Sequence, residues 1–159
     1  MQSDLPIRKI VSGGQTGVDR AGLDVALYLQ IEQGGWCPRG RLAEDGRIPD
    51  KYELAETDSS EYRFRTEQNV IDSGGTLILY SESMSGGTLL TRRVAKKHDR
   101  PCLAVDLSVN PDAAEVRNWI RKEKIETLNV AGPRESSCPG VSDAAREFLL
   151  KVLDGYASS

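Results

Sequence analysis

Short apolar runs alternate with helix-like segments along this chain, and this alternation limits the possible folds more than any other feature. Most runs are continuously apolar, which is typical of strands in a parallel sheet that helices cover on both faces. The predicted strands are 7–11, 35–37, 76–80, 101–107 and 127–131. The predicted helices, which have apolar residues at helical spacing, are 18–30, 60–73, 88–98, 113–124 and 141–153. We therefore expect an α/β three-layer sandwich with a mostly parallel sheet.

The size and charge of the chain limit the classes of protein to which it can belong. Its 159 residues suit one domain over 1–159, and no repeat or second domain is visible. The net charge of −3 argues against a broad basic surface for nucleic acid. No apolar run approaches the roughly 20 residues of a membrane span, and the start lacks a charged-then-apolar signal pattern. We expect a soluble cytoplasmic protein that binds neither nucleic acid nor membrane.

Cysteine and histidine are too few for several kinds of site. The three cysteines (Cys37, Cys102 and Cys138) have no CxxC spacing, which disfavours disulfides and a cysteine zinc site. His98 is the single histidine, which disfavours a Ser-His-Asp triad and a histidine-rich metal site. We expect no metal bound by protein side chains.

The sequence SGGQTG, residues 12–17, joins the first predicted strand to the first helix. Glycines there let backbone N–H groups approach an anion, and the helix adds the positive end of its dipole. The loop lacks the GK[ST] of a Walker loop and the G-x-G-x-x-G of a dinucleotide fingerprint. Asp19 or Thr16 could instead cap the helix. The candidate ligand-binding residues are Gly13, Gly14, Gln15, Thr16, Gly17, Asp19 and Arg20.

A second glycine-rich exit, SESMSGGTLLT at 81–91, follows the strand 76–80. In an open parallel sheet, ligands bind beyond the carboxyl ends of the strands, so both glycine-rich loops should open on one edge. We expect a phosphate site formed by both loops, with Gly86, Gly87, Thr88 and Thr91 as the candidates here.

Two further exits add positive charge. In GPRESSCPG, Arg134 can bind a phosphate or carboxylate through two N–H groups, and Glu135 and Ser136 follow it. A surface ion pair between Arg134 and Glu135 is the alternative. In WCPRG, Arg39 stands at the mouth of the charged segment 38–59, which is either a functional flap or partly disordered.

The segment RTEQNV, residues 65–70, places polar residues on one face of a predicted helix. Thr66 and Asn69 share a face through their three-residue spacing, and Arg65 lies about one turn from Asn69. These residues could line a pocket, but by itself the segment is more typical of a solvated helix face.

These motifs, in this order, resemble the family of molybdenum cofactor carrier proteins. The resemblance runs from about Ile10 to Leu149 and is carried by SGGQTGVDRAGLDVA, GWCPRGRLAEDGRIPDKYEL, RTEQNV, DSGGTLILY, SGGTLLT and LNVAGPRES. It implies a circularly permuted, Rossmann-like fold of the superfamily that includes the lysine-decarboxylase-like phosphoribohydrolases. It also implies a homo-oligomer, a dimer or tetramer, that carries molybdopterin for delivery to molybdoenzymes. A nucleotide or an ADP-ribose-like molecule is the alternative ligand.

The superfamily also supplies the alternative function, hydrolysis of a nucleoside monophosphate. Phosphoribohydrolases carry PGGxGTxxE with a catalytic glutamate, whereas Thr91 stands at that position here. A threonine cannot act as a carboxylate base near neutral pH. We therefore expect a binding protein rather than an enzyme, with no catalytic residue. Five carboxylates could substitute and keep the enzyme alternative open: Glu44, Asp45, Asp50, Glu53 and Glu135.

Overall fold

The computed structural model describes residues 5–158, which form a central parallel sheet between two layers of helices. Five strands form this sheet, and every pairing between them is parallel. These strands are β1 Lys9–Val11, β2 Glu32–Gly34, β7 Gly75–Tyr80, β8 Cys102–Asp106 and β9 Thr127–Ala131. They pair in the order β2-β1-β9-β7-β8. Four short strands outside this sheet are β3 Trp36–Cys37, β4 Leu42–Ala43, β5 Gly46–Arg47 and β6 Ala55–Glu56.

Five α-helices connect the strands and cover the sheet. They are α1 Val18–Leu29, α2 Tyr62–Ile71, α3 Gly86–Lys97, α4 Ala113–Glu123 and α5 Val141–Val152, with 3₁₀ turns at Leu107–Val109 and Asp154–Ser158. The apolar stripes of α1, α4 and α5 form one large core with β1, β7 and β9. Residues of α2 and α3 form a smaller core that includes Val70 and Val94. No helix within 5–158 is long and apolar enough to cross a membrane.

The fold class predicted from the sequence is confirmed, with one correction to the sheet. The strand expected at 35–37 does not join the central sheet, because Trp36–Cys37 pairs with Ala55–Glu56. The central sheet instead uses Glu32–Gly34, which pairs with Lys9–Val11. Its sequence, EQG, has no apolar side chain, so a search for apolar runs in the sequence does not find this strand. The single domain over 1–159 stays a prediction, and its residues 1–4 and 159 lie outside the described chain.

The charged segment 38–59 is folded. Arg41 is buried, and its guanidinium donates hydrogen bonds to the backbone carbonyls of Ile48, Pro49, Tyr52 and Leu54 at 2.8–3.3 Å. Four carbonyls around one cation hold the segment as a compact turn. Its apolar side chains then form a small core with α1, made by Leu23, Cys37, Ile48 and Tyr52.

Candidate functional site

A cavity of about 370 Å³ lies at the carboxyl ends of the central strands. The exits of β1, β7 and β9 contribute to its wall, and α2 contributes a further side. Because β9 lies between β1 and β7, the three loops are neighbours in space although they are far apart in the chain. This position follows the rule for ligand sites in open parallel sheets.

The exit of β7 offers open backbone to this cavity. A Cβ added at Gly86 or at Gly87 meets no atom within 4 Å, and both residues line the cavity. They begin α3, a helix of 12 residues, and the buried Thr88 follows them. Free N–H groups and the positive end of the helix dipole favour an anion at this point.

The exit of β1 is glycine-rich for a different reason, because protein atoms fill the space beside its glycines. A Cβ at Gly13 would lie 1.7 Å from Nη1 of Arg65, and one at Gly14 would lie 2.6 Å from Cδ1 of Leu54. A Cβ at Gly17 would lie 2.3 Å from the carbonyl oxygen of Pro133. These glycines therefore permit close packing of the loop against its neighbours.

Asp19 and Arg65 form an ion pair on the cavity wall. Nη1 of Arg65 donates to Oδ2 of Asp19 at 2.8 Å, and the N–H of Gln15 reaches the same oxygen at 3.3 Å. Both side chains are close to fully buried. Burial raises the pKa of Asp19 above its ordinary value, and Arg65 acts in the opposite sense by attraction and hydrogen bonding.

Tyr62 supports two cations at the cavity. The guanidinium carbon of Arg65 lies 5.2 Å from the centre of its ring, and that of Arg134 lies 5.7 Å away. Arg65 is already paired with Asp19. The guanidinium of Arg134 has no hydrogen-bond or ion-pair partner among residues 5–158, and the residue lines the cavity. Arg134 therefore presents its N–H groups for an oxyanion.

Buried amide side chains complete the wall. Oε1 of Gln15 accepts from the N–H groups of Glu44 and Thr16, which fixes the orientation of this side chain. Its buried Nε2 has no partner among the described residues. Oδ1 of Asn69 accepts from the N–H of Trp36 at 2.8 Å, and its Nδ2 donates to the carbonyl of the same residue at 2.9 Å. Nδ2 of Asn129 donates to the hydroxyl of Thr76. The wall is thus polar and held in place by the surrounding backbone.

The structure places eight of the predicted site residues on the cavity wall: Gly13, Gln15, Asp19, Gly86, Gly87, Thr88, Thr91 and Arg134. The other seven lie off this wall: Gly14, Thr16, Gly17, Arg20, Arg39, Glu135 and Ser136. Binding by any of the fifteen stays a prediction. Arg65, Thr66 and Asn69 also line the cavity, so the expectation of a solvated helix face for them is wrong. Sequence reasoning missed the wall positions of Tyr62 and Asn129, because neither stands in a glycine-rich motif.

Two residues off the wall have clear structural partners. Arg20 makes a bidentate ion pair with Asp45 at 2.6 and 2.8 Å and also binds the carbonyl of Gly14. Glu135 accepts hydrogen bonds from the N–H groups of Gly140 and Ser142, at the start of α5. The expected alternative, a surface ion pair between Glu135 and Arg134, is not formed.

The carboxylates suggested as substitutes for the missing glutamate do not face the cavity. Asp45 pairs with Arg20, Asp50 pairs with Arg47, and Glu135 binds the start of α5. Glu44 and Glu53 also lie outside the wall, which leaves Asp19 as the carboxylate on it. Within 5–158, no three His, Cys, Asp or Glu side chains are arranged to hold a metal ion.

A Rossmann-like sheet with a polar cavity at its carboxyl edge defines the class of this protein. The chain belongs to the circularly permutated YpsA SLOG family, whose model matches residues 10–153. It is also similar to a crystal structure from Syntrophus aciditrophicus named "putative molybdenum carrier protein". The two chains are 45% identical with a TM-score of 0.90, over 94% of this chain and 96% of that one. No curated protein matches the sequence.

Proposed function

We propose that this protein is a carrier that binds a phosphate-bearing pterin, molybdopterin, as its cargo in the cavity. The observation that supports this most is the open start of α3, where Gly86 and Gly87 face the cavity with no protein atom against them. Arg134 supplies an unpaired guanidinium in the same cavity. A phosphate bound at the helix start would accept hydrogen bonds from both sides.

The cavity is large enough to hold a ring system as well as a phosphate. A cavity of about 370 Å³ lies in the range of small-molecule sites, which is roughly 300–1,000 Å³. The fixed amides of Gln15 and Asn129 line it and can orient polar ring edges. These features suit a nucleotide or an ADP-ribose-like ligand as well as a pterin. The pterin is proposed because the similar structure carries the name of a molybdenum carrier.

The proposal extends to the setting of a carrier. The protein would act in the cytoplasm as a homo-oligomer, a dimer or tetramer, and would deliver its cargo to molybdoenzymes. In this proposal the protein contacts the phosphate and the rings, because the residues 5–158 offer no cluster of metal ligands.

Asp19 favours a second candidate function, hydrolysis of a nucleoside monophosphate. Its carboxylate lies on the cavity wall, and burial raises its pKa, as is common for a general acid or base. However, Oδ2 of Asp19 already accepts hydrogen bonds from Arg65 and from the N–H of Gln15. This arrangement suits a carboxylate that positions Arg65, so the carrier is the first candidate.

Incubation with a panel of nucleoside monophosphates and pterin phosphates separates the two functions. A carrier binds such a ligand and returns it unchanged, as chromatography and mass spectrometry would show. Sustained release of free base that Asp19→Asn abolishes, and that the control Glu135→Gln leaves intact, would contradict the carrier. Glu135 is the matched control because its carboxylate binds the start of α5.

A further inference from the structure

A notch lies beside the cavity, between the exits of β1 and β9. Three hydrogen-bond donors form it: the hydroxyl of Thr16 and the N–H and hydroxyl of Ser136. The two loops are in tight contact, because the missing Cβ of Gly17 leaves space for the carbonyl oxygen of Pro133. In addition, the N–H of Glu135 donates to the hydroxyl of Thr16. The donors are therefore held in one place by the packing of two loops.

A carboxylate of the same chain occupies this notch. Oε1 of Glu44 accepts from the hydroxyl of Thr16 and from the N–H of Ser136, and Oε2 accepts from the hydroxyl of Ser136. Glu44 comes from the folded segment 38–59, and its own N–H binds Oε1 of Gln15. Both carboxylate oxygens are thus bound, as the oxygens of a phosphate would be.

The electrostatics of the notch favour an anion in general. The hydrogen bonds from Ser136 and Thr16 lower the pKa of Glu44, and the positive charge of Arg134 lowers it further. Glu44 is exposed to solvent. Because water screens exposed charges, its attachment is weak enough for a free anion to compete.

We infer that the notch is a second anion-binding site, which takes a phosphate group when Glu44 leaves it. Glu44 is then a built-in competitor that closes segment 38–59 onto the loops. The start of α3 follows β7, which is one strand from β9 and two from β1, so both anion sites lie beyond the same edge of the sheet. A ligand with two suitably spaced anionic groups would occupy both sites. This ligand class rests on the proposed function, whereas the notch itself does not.

The backbone amide of Ser136 reports on the notch directly, because its N–H donates to Glu44. Inorganic phosphate is added to ¹⁵N-labelled wild type, Glu44→Ala and Glu53→Gln, and the amide shifts of Ser136 and Gly87 are followed. Glu53 is a matched control, since it is an exposed carboxylate of the same segment that does not touch the notch. If Glu44 fills the notch about nine-tenths of the time, its removal strengthens phosphate binding there about tenfold.

We expect the Ser136 amide of Glu44→Ala to titrate at about one-tenth of the wild-type phosphate concentration, with Glu53→Gln like wild type. Adding Ser136→Ala to Glu44→Ala should reverse most of the gain. An unchanged or weaker response in Glu44→Ala would overturn the inference. The Gly87 amide reports on the cavity separately. If phosphate shifts the Gly87 amide but not the amide of residue 136, the notch alone is contradicted. If phosphate does not shift the Gly87 amide, the phosphate site of the proposed function is contradicted.

Discussion

The loops at 12–17 (SGGQTG) and at 85–88 (SGGT) each have a serine, two glycines and then a threonine at or near the start of a helix. The two loops nevertheless differ in structure. In the first loop, protein atoms lie within 3 Å of a Cβ placed at Gly13, Gly14 or Gly17. In the second loop, nothing lies within 4 Å of a Cβ placed at Gly86 or Gly87. Glycines of the first loop therefore serve packing, and those of the second leave backbone accessible.

This difference shows what a glycine-rich motif can and cannot indicate. A glycine permits close approach of another group, but the sequence does not say whether that group is protein or ligand. Here the side chains of Arg65 and Leu54 come from segments more than 35 residues away in the chain. Gln15 of the first loop and Asp19 of the helix that follows it still line the cavity, so both loops contribute to one cavity wall.

The largest expected effect is on stability in the first loop. Gly17 has φ 81° and ψ −130°, which is unfavourable for other residues, and its Cβ would overlap the carbonyl oxygen of Pro133. Strain and overpacking together should lower the free energy of unfolding of Gly17→Ala by about 3 kcal/mol or more. Urea denaturation measures this. The control Gly87→Ala should unfold within about 1 kcal/mol of wild type, and equal losses in both variants would remove the contrast between the loops.

A smaller effect is expected on binding at Arg134. Loss of a hydrogen bond to a charged group should cost Arg134→Ala about 1.5–3 kcal/mol in binding of guanosine 5′-monophosphate. Arg134→Lys should recover only part, because lysine keeps the charge but loses the planar fork, and added salt should weaken wild-type binding. Calorimetric titration at two salt concentrations tests this. Normal affinity in Arg134→Ala would mean that Arg134 does not contact the ligand.

The smallest expected effect concerns the pair between Arg20 and Asp45, which ties segment 38–59 to the first loop. The hydrogen bond from Arg20 lowers the pKa of Asp45 below its ordinary value of 3.8. The pair therefore stabilises the fold above pH 3.8, and this stabilisation is lost as the pH falls through the pKa of Asp45 in the folded protein. Since Asp45 is half exposed, Asp45→Asn should cost at most about 1 kcal/mol at pH 7. Thermal unfolding should show the difference shrink as the pH falls below 3.8, through the lowered pKa of Asp45 in the folded protein. A loss of the same size at pH 7 and at about pH 2 would contradict the ion pair.

Much of the fold could be predicted from the sequence, because helical spacing and apolar runs are local signals. All five helices lie where the spacing indicated, within a few residues. The strand Glu32–Gly34 could not be found in this way, since its stability comes from pairing with β1 rather than from apolar side chains. The folded state of 38–59 depends on Arg41, whose four carbonyl partners are visible only in three dimensions.

The candidate site was harder to predict, because it depends on contacts between distant segments. The sequence did identify Gly87 and Arg134 as candidates, because both follow predicted strands and the ends of parallel strands meet at one edge of the sheet. Arg65 reaches Asp19 across 46 residues, and no local pattern shows that contact. Tyr62 lies on the wall through the packing of α2 beside the sheet, which the sequence of α2 does not reveal.

The central claim is that the open start of α3 holds the phosphate of a carried ligand, and Gly87→Val tests it most directly. Its added Cβ would meet no atom within 4 Å, so the fold should remain as stable as wild type. Mass spectrometry of ligand retained after gentle purification should find a phosphate-bearing pterin or nucleotide on wild type. Gly87→Val should retain less than about one-tenth as much, a change of about 1.4 kcal/mol. Equal retention by a Gly87→Val protein that melts normally, or a retained ligand without phosphate, would contradict the account.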